Sequence, residues 1–346
     1  MKKYYSILIA LCFCNVNLIF SQQKVALQSN GTTTIFGGSD PFTAAYNASV
    51  NGDTLYLPGG TIPYPTTINK GLVIIGAGHY PDSTIATGKT VLTGSLTISE
   101  DADNLQLEGI ELTGTISFTG NHKVDSVIIR RCKFHNISYI GTGITPCINN
   151  NIVENVIIGD ATFTNATSSM LSNNIINGRI INANNIGISN NILLYNAANS
   201  GGYSYNVTFN NVDNCFISNN IIFRNWGGAS WIYSLSDLNT FSNNIFSVVP
   251  NTGTNIFSNN YNSIDLATVF ISQTGNLFSY SDDYQLVNHA TYVGIDNTQV
   301  GIYGGIYPYK KGAVPHNPHI QINNNATTTD ANGNLQIQIQ VEAQND

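Results

Sequence analysis

Two aspartates at matching places in neighbouring repeats are the residues best suited to acid–base chemistry. Asp213 and Asp237 each follow a short predicted strand, one repeat apart, as Asp160 does earlier in the chain. Equivalent positions on adjacent strands lie about 4.8 Å apart, where two carboxylates could hold a cation or share the work of acid catalysis. The alternative is turn capping, because an aspartate side chain also accepts hydrogen bonds from nearby backbone amides.

Aromatic residues are concentrated in the same two repeats. Tyr203, Tyr205, Trp226, Trp231 and Tyr233 lie in two insertions and include both tryptophans of the chain. Aromatic faces arranged along a groove suit the C–H faces of sugar rings, so these residues predict a glycan-binding patch. The alternative is that the rings cover an apolar outer wall.

A third group combines Arg130, Arg131, Lys133 and His135. A lyase acting on polyuronates needs Arg or Lys to neutralise a substrate carboxylate and to abstract a proton. The nearest acid in the sequence is Asp125, and basic residues are scarce beyond the group, so a long anionic substrate would meet few cations. We therefore predict solvated charges on an outer wall.

A repeat through the middle of the chain must position these candidates. The unit is apolar–x–Asn–Asn–x–apolar, and two degenerate copies precede it at Leu107 and Ile129. The intact copies begin at Ile148, Leu171, Ile188, Ile217, Phe241 and Phe257. Their average spacing of about 21 residues is typical of a solenoid and not of a compact globule.

Residues 173–191 show how one repeat would fold. Three short apolar segments separated by Asn and Gly corners match one triangular β coil, whose strands pair in parallel with neighbouring coils. One Asn of each pair must adopt a left-handed backbone, and the other points inward and bonds to the same amide in the next coil. The predicted inward ladder contains Asn151, Asn174, Asn191, Asn220, Asn244 and Asn260.

This stacked Asn corner resembles that of right-handed parallel β-helix proteins of the pectin-lyase-like superfamily. Residues 52–82 resemble the first coils of secreted bacterial members, and residues 301–320 resemble a late stretch of such proteins. The resemblance implies an all-β fold, a right-handed parallel β-helix of about nine or ten coils with an Asn-ladder corner and a small C-terminal strand pair. The superfamily includes lyases, hydrolases, esterases, adhesins and tailspikes, so the fold leaves the function open.

The sequence indicates no cofactor. Lyases of this fold commonly hold calcium with several acidic residues, and calcium stays possible here without a motif that supports it. The hydrolase motifs Asn-Thr-Asp, Gly-His-Gly and Arg-Ile-Lys do not occur in the sequence. The six histidines are scattered, with no metal-ligand spacing and no nucleophile triad.

The chain divides into four predicted parts. They are a signal peptide at 1–21, an N-terminal cap at 22–50, the parallel β-helix at 51–312, and a C-terminal linker with a β-hairpin at 313–346. Lys2 and Lys3 precede a short apolar run, a pattern typical of an export signal and too short to span a membrane comfortably. The hairpin is predicted either to cap the solenoid or to offer an edge for assembly or surface retention.

Composition narrows the class of partner. Charged residues make up 10% of the chain and the net charge is −7, which disfavours nucleic acid. Cys132, Cys147 and Cys215 follow the signal, and we predict small buried hydrophobes, although one pair could bridge after export. We expect a secreted protein that binds polysaccharide or cell-surface glycan without catalysis. The alternative is a polysaccharide lyase or glycoside hydrolase; the oligomeric state is open.

Overall fold

The chain winds into stacked triangular coils. A computed structural model describes residues 23–118, 123–140, 145–195, 206–223, 232–310, 312–326 and 328–343. Each coil adds one strand to each of three parallel sheets, called sheets I, II and III in the order that the chain visits them. The predicted all-β parallel β-helix with a small C-terminal strand pair is confirmed.

The strands are short, as expected for a chain that turns three times in each coil. Sheet I contains Thr32–Phe36, Val25–Ser29, Thr54–Tyr56, Val73–Ile75, Gln106–Glu108, Ile128–Arg130, Asn151–Val153, Met170–Ser172, Gly187–Ser189, Phe216–Ser218, Thr240–Ser242 and Ile256–Ser258. Sheet II contains Gly60–Thr61, Thr90–Leu92, Glu111–Leu112, Lys133–Phe134, Val156–Ile157, Ile175–Ile176, Ile192–Leu193, Ile221–Ile222 and Ile245–Phe246. Sheet III contains Thr67–Ile68, Leu96–Ile98, Ile116–Phe118, Ile137–Tyr139, Ala161–Thr162, Ile180–Ile181, Phe209–Asn210 and Tyr233–Ser234.

The interior is filled by apolar residues of the three sheets, stacked in register from coil to coil. In sheet I the middle residues Ile152, Leu171, Ile188 and Ile217 are direct partners and are fully buried. β-branched and aromatic side chains dominate these columns, because they pack well against the same position one strand away. The continuous core explains why a chain rich in Asn, Ser and Thr folds at all.

The N-terminal edge of the solenoid is covered. The antiparallel hairpin Val25–Ser29 and Thr32–Phe36 pairs with Thr54–Tyr56, and the helix Pro41–Ala48 follows it. Asp40 caps this helix, since its Oδ1 accepts a hydrogen bond from Thr43 N at 3.1 Å. The hairpin and helix thus cover the first strand of the coils, and the exposed strand Thr32–Phe36 ends the sheet.

The C-terminal end differs from the prediction that coils continue to residue 312. The last strand of the parallel sheets is Ile256–Ser258, and the return segment, residues 262–310 and 312–318, runs back along the outside of the solenoid. It includes the 3₁₀ helix Leu266–Thr268 and the antiparallel strands Phe270–Ser272 and Asp283–Leu286.

The return segment covers the later strands of sheet II, from Val156–Ile157 onward, because these strands are apolar on both faces. The outward residues Ile175, Ile192, Ile221 and Ile245 form a second core with buried residues of the return segment, among them Phe270, Tyr284, Val300 and Ile302. A parallel sheet that is covered on both faces shows continuous apolar runs and not alternation. The Ile-Ile dyads of sheet II therefore indicate a covering layer and not further coils.

The C-terminal hairpin adds no strand to the parallel sheets and borders the turn at residues 82–85. His319–Asn325 pairs with Ile337–Glu342 in antiparallel register, and every residue of the second strand is exposed. The second strand therefore does not pack as a cap, and the role of the hairpin in assembly stays a prediction. No helix among the described residues has the length and apolar character that a bilayer span requires.

Candidate functional site

In each Asn-Asn pair at the corner between sheets I and II, the two residues have different roles. The first residue of each pair adopts φ between 53° and 57° at Asn173, Asn190, Asn219, Asn243 and Asn259. The second residue points inward: both N and Nδ2 of Asn174 donate to Asn191 Oδ1, at 2.9 and 3.0 Å. The same two bonds repeat between Asn191 and Asn220 and onward. The complete ladder is Asn155, Asn174, Asn191, Asn220, Asn244 and Asn260.

The prediction that Asn151 belongs to this ladder is wrong. Ile152, not Ile148, pairs with Ile129 and Leu171, so the corner of that coil is Glu154-Asn155 and Asn151 begins a strand. Asn150 serves a second ladder at the corner between sheets III and I, where its Oδ1 accepts from Val127 N at 2.8 Å. The sequence signal for Asn155 is the apolar pair Ile152-Val153. If Ile152 is taken as the apolar residue of the repeat unit, Asn155 falls at the inward corner position.

The first Asn of each pair holds the return segment. Asn243 donates to Val293 O at 3.0 Å, and Asn219 Oδ1 accepts from Ile295 N at 2.9 Å. Asn190 donates to Gly301 O at 3.3 Å, and Asn173 donates to Ile302 O and Gly304 O at 2.9 and 2.7 Å. Four successive coils thus form hydrogen bonds with the backbone of the return segment. The Asn-Asn repeat by itself does not indicate this role.

In earlier coils, charged side chains take the corner positions that Asn occupies in later coils. Arg131 and Glu154 occupy the left-handed corner positions, with φ of 51° and 57°, and both are 2% exposed. Arg131 donates to Glu154 Oε2 at 2.9 Å and to Val314 O at 3.1 Å, while Glu108 accepts from His316 N at 3.0 Å. Burial raises the pKa of Glu154, and the Arg131 charge opposes that rise.

The prediction that the basic group is solvated and lacks nearby acids is corrected by this network. Arg130 pairs with Glu108 at 2.8 Å, and Lys133 pairs with Glu111 at 3.0 Å. Glu108 and Glu111 lie one coil earlier, so they are distant in sequence but adjacent in space. Arg130, Arg131 and Lys133 are therefore engaged in structural ion pairs.

The two candidate acids Asp213 and Asp237 lie on neighbouring coils at the corner between sheets III and I. Asp213 Oδ1 accepts from Asp237 N at 2.8 Å, and Asp237 Oδ1 accepts from the hydroxyl of Thr254. Each carboxylate therefore joins its coil to the next by capping it. Among the described residues no cluster of three or more His, Cys, Asp or Glu could hold a metal ion.

The aromatic patch is only partly visible. Tyr203, Tyr205, Trp226 and Trp231 lie outside the described residues. Tyr233 pairs in register with buried Phe209 and therefore faces the interior, where its ring stacks 6.2 Å from Phe241. Its partly buried ring packs against the core, so its assignment to an outer-wall binding patch is corrected.

The three cysteines in the described part of the chain are buried thiols. Cys132, Cys147 and Cys215 are buried and free of disulfides. Burial raises the pKa of Cys132 to about 12 and that of Cys215 to about 11. Because the thiolate is the reactive form, both thiols are inert at neutral pH.

A groove lies where the return segment borders the outer face of sheet I, with a volume of about 200 Å³. We call it the Gly187 groove. Its floor is the outward column Met170, Gly187 and Phe216, and its far wall contains Ile306 and Tyr307. Phe216 is 44% exposed and Ile306 is 85% exposed, so the groove presents two large apolar side chains to solvent.

Polar groups border the apolar floor of the Gly187 groove. Ser189 lies on the same strand as Gly187, and its hydroxyl donates to Ser172 Oγ at 3.1 Å. Asp296 lies on the far wall, where its Oδ1 accepts from the hydroxyl of Thr298 at 2.8 Å. Within the described residues none of the groove's lining side chains is Lys, Arg or His. The groove thus combines an apolar surface with hydroxyl, amide and carboxylate groups and carries no positive charge.

The fold and the Gly187 groove are the features to compare with known proteins. Its three parallel sheets of eight to twelve strands are consistent with a β-helix. Comparisons with models of protein families, with curated proteins and with solved structures each find no match. The chain is accordingly described by its architecture, a sheet-rich parallel solenoid with an Asn-ladder corner.

Proposed function

We propose that this protein is a secreted, non-catalytic β-helix protein of the pectin-lyase-like superfamily that binds glycan through the Gly187 groove. The observation that carries the proposal is the exposed ring of Phe216 in a concave site bordered by hydroxyl and amide groups. Ligand sites commonly join apolar surface to a few convergent polar groups, and sugar rings present matching apolar faces and hydroxyl edges.

The scaffold supports binding because it is rigid under the groove. The floor residues belong to paired strands of sheet I, and the far wall is tied to the corner by Asn173, Asn190 and Asn219. A site on strands is held more precisely than one on loops, so little order must be gained when a ligand binds.

Two features favour binding over catalysis. Hydrolysis of a glycosidic bond commonly requires two carboxyl groups facing one another across the substrate, and Asp296 is the single carboxylate lining the groove within the described residues. Asp213 and Asp237 belong to a different corner and cap backbone and hydroxyl groups there. Export is supported by the Lys2-Lys3 apolar leader.

The test is glycan binding by the protein lacking residues 1–21. Phe216→Ala should weaken retention on the bound glycans roughly three- to tenfold, because it removes one ring contact. Ile256→Ala is the matched control, since Ile256 lies in the same outward column two strands away, outside the groove lining, and is 63% exposed. Absence of binding across a broad panel of neutral and acidic glycans would reject the proposal. Release of new reducing ends or unsaturated products would show an enzyme instead.

A further inference from the structure

Neither the backbone conformation nor the packing requires a glycine at Gly187. It lies in the strand Gly187–Ser189 without a positive φ, and a Cβ added there would meet nothing nearer than Ser169 O at 3.8 Å. By contrast, a Cβ at Gly178 would lie 2.1 Å from Gly159 O, so packing forces that glycine. A strand glycine costs about 0.5–1 kcal/mol relative to alanine, and it often marks close approach by a ligand.

The missing side chain leaves a slot between two larger ones. Met170 and Phe216 are the direct partners of Gly187 on either side, each about 4.8 Å away along the sheet. A ring centred over Gly187 would therefore contact both neighbours at ordinary stacking distance. The half-exposed Phe216 provides an aromatic wall, and Met170 provides an adaptable apolar one.

Charge decides which ring would fit. The exposed Asp296 faces the groove with Oδ1 already bonded to Thr298, so a ligand that donates hydroxyl hydrogens is favoured. A uronate carboxylate would meet this negative charge with no lining cation to offset it among the described residues. The slot thus suits a ring with an apolar face, hydroxyl edges and no negative charge.

We propose that the slot at Gly187 binds one pyranose ring of an uncharged polysaccharide and discriminates against uronate polymers. This inference rests on the glycan-binding function proposed above. It adds the class of sugar, the position of the ring between Met170 and Phe216, and the reason that the strand carries glycine at this position.

The test fills the slot without harming the fold. Gly187→Val adds a β-branched side chain where a Cβ has room, so the melting temperature should stay equal or rise. Binding to neutral glucans, mannans or galactans should fall at least tenfold, with Gly187→Ala intermediate. Thr240→Val is the matched control, because Thr240 follows Phe216 in the same outward column and does not line the groove.

The outcomes separate the two proposals. A parent protein that binds no glycan rejects the proposed function and this inference together. Neutral-glycan binding that falls in Phe216→Ala but persists in Gly187→Val supports the groove and overturns the slot. Stronger binding to polygalacturonate or alginate than to neutral polymers overturns the assigned sugar class. A melting temperature that falls in Gly187→Val while Gly187→Ala leaves binding unchanged also overturns the slot.

Discussion

Late and early coils hold the same returning backbone by different chemistry. In the late coils the outward corner residues Asn173, Asn190, Asn219 and Asn243 form amide hydrogen bonds with it. In the early coils a buried pair, Arg131 with Glu154, takes the corner position. Both arrangements supply a left-handed corner and hydrogen bonds to the return segment. They differ in how far each residue depends on its neighbours.

An amide carries its own donor and acceptor, whereas a buried charge needs a partner. Removing one outward Asn should leave the other bonds in place, because each outward Asn makes its own hydrogen bond to the return segment. Removing one member of a buried ion pair leaves an uncompensated charge away from water, which is much more costly. The early corner should therefore be the more fragile part of the fold.

The largest effect is expected for Arg131→Ala. Arg131 has partners in Glu154, Glu108 and Val314 O, so its loss leaves two buried carboxylates and one carbonyl without it. The free energy of unfolding should fall by about 3–5 kcal/mol, measured by urea unfolding at neutral pH.

Two controls test whether burial causes that loss. Arg179→Ala breaks the pair with Asp160, whose side chains are 25% and 29% exposed, and should cost at most about 1 kcal/mol. The double variant Arg131→Met with Glu154→Leu should regain much of the lost stability, since it removes both charges of the pair. Equal losses in Arg131→Ala and Arg179→Ala would remove the proposed distinction between the corners.

Acid should weaken the early end of the return segment first. His79 is fully buried beside Tyr280, and burial lowers its pKa to about 3, with the charges of Lys133 and Lys89 acting in the same direction. An unfolded histidine titrates near 6.5, so its contribution to stability is present above that pH and is lost as pH falls toward 3. The unfolding free energy should drop by roughly 2–3 kcal/mol between pH 6.5 and 4.5.

Hydrogen exchange and His79→Phe locate this effect. The variant should flatten the decline in unfolding free energy between pH 6.5 and 4.5, and amides near Tyr309 should lose protection before those near Val293. Glu154 acts in the opposite sense, because a raised carboxyl pKa adds stability below pH 4.5 that is lost as pH rises through the folded value. An unchanged acid decline in His79→Phe would assign the effect to another group.

The sequence predicted the part of the fold that repeats. Ladder positions such as Asn174 and Asn220 follow from a regular corner beside an apolar strand. Asn151 was misplaced because three consecutive Asn, at 149–151, precede the true anchor Ile152, and the corner of that coil carries Glu154 in place of Asn. The Arg131 network was missed because each of its acids lies 23 residues away, where only a correct register brings them together.

The Gly187 groove could not be predicted because its two sides come from separate parts of the chain. Its floor is the repeat itself, but its wall belongs to the return segment, and Ile295 meets Asn219 across 76 residues. The Ile-Ile dyads of sheet II indicated that a covering layer must exist. They did not indicate which residues would supply it or where its border would fall.

The smallest effect is expected at a late corner, where two variants of Asn173 distinguish backbone strain from the loss of hydrogen bonds to the return segment. Asn173→Ala removes the two hydrogen bonds to Ile302 O and Gly304 O and places a less tolerant residue at φ 57°, so it should cost about 1–2 kcal/mol. Asn173→Gly loses the same bonds but accepts that φ freely, so the difference between the two variants reports the strain, offset by the greater conformational entropy that glycine loses on folding. In both, amides at 302–304 should exchange faster while the inward ladder at Asn174 stays protected. Because the neighbouring rungs Asn190 and Asn219 remain, the loss should stay local; global unfolding in Asn173→Gly would mean that the late corner is as interdependent as the early one.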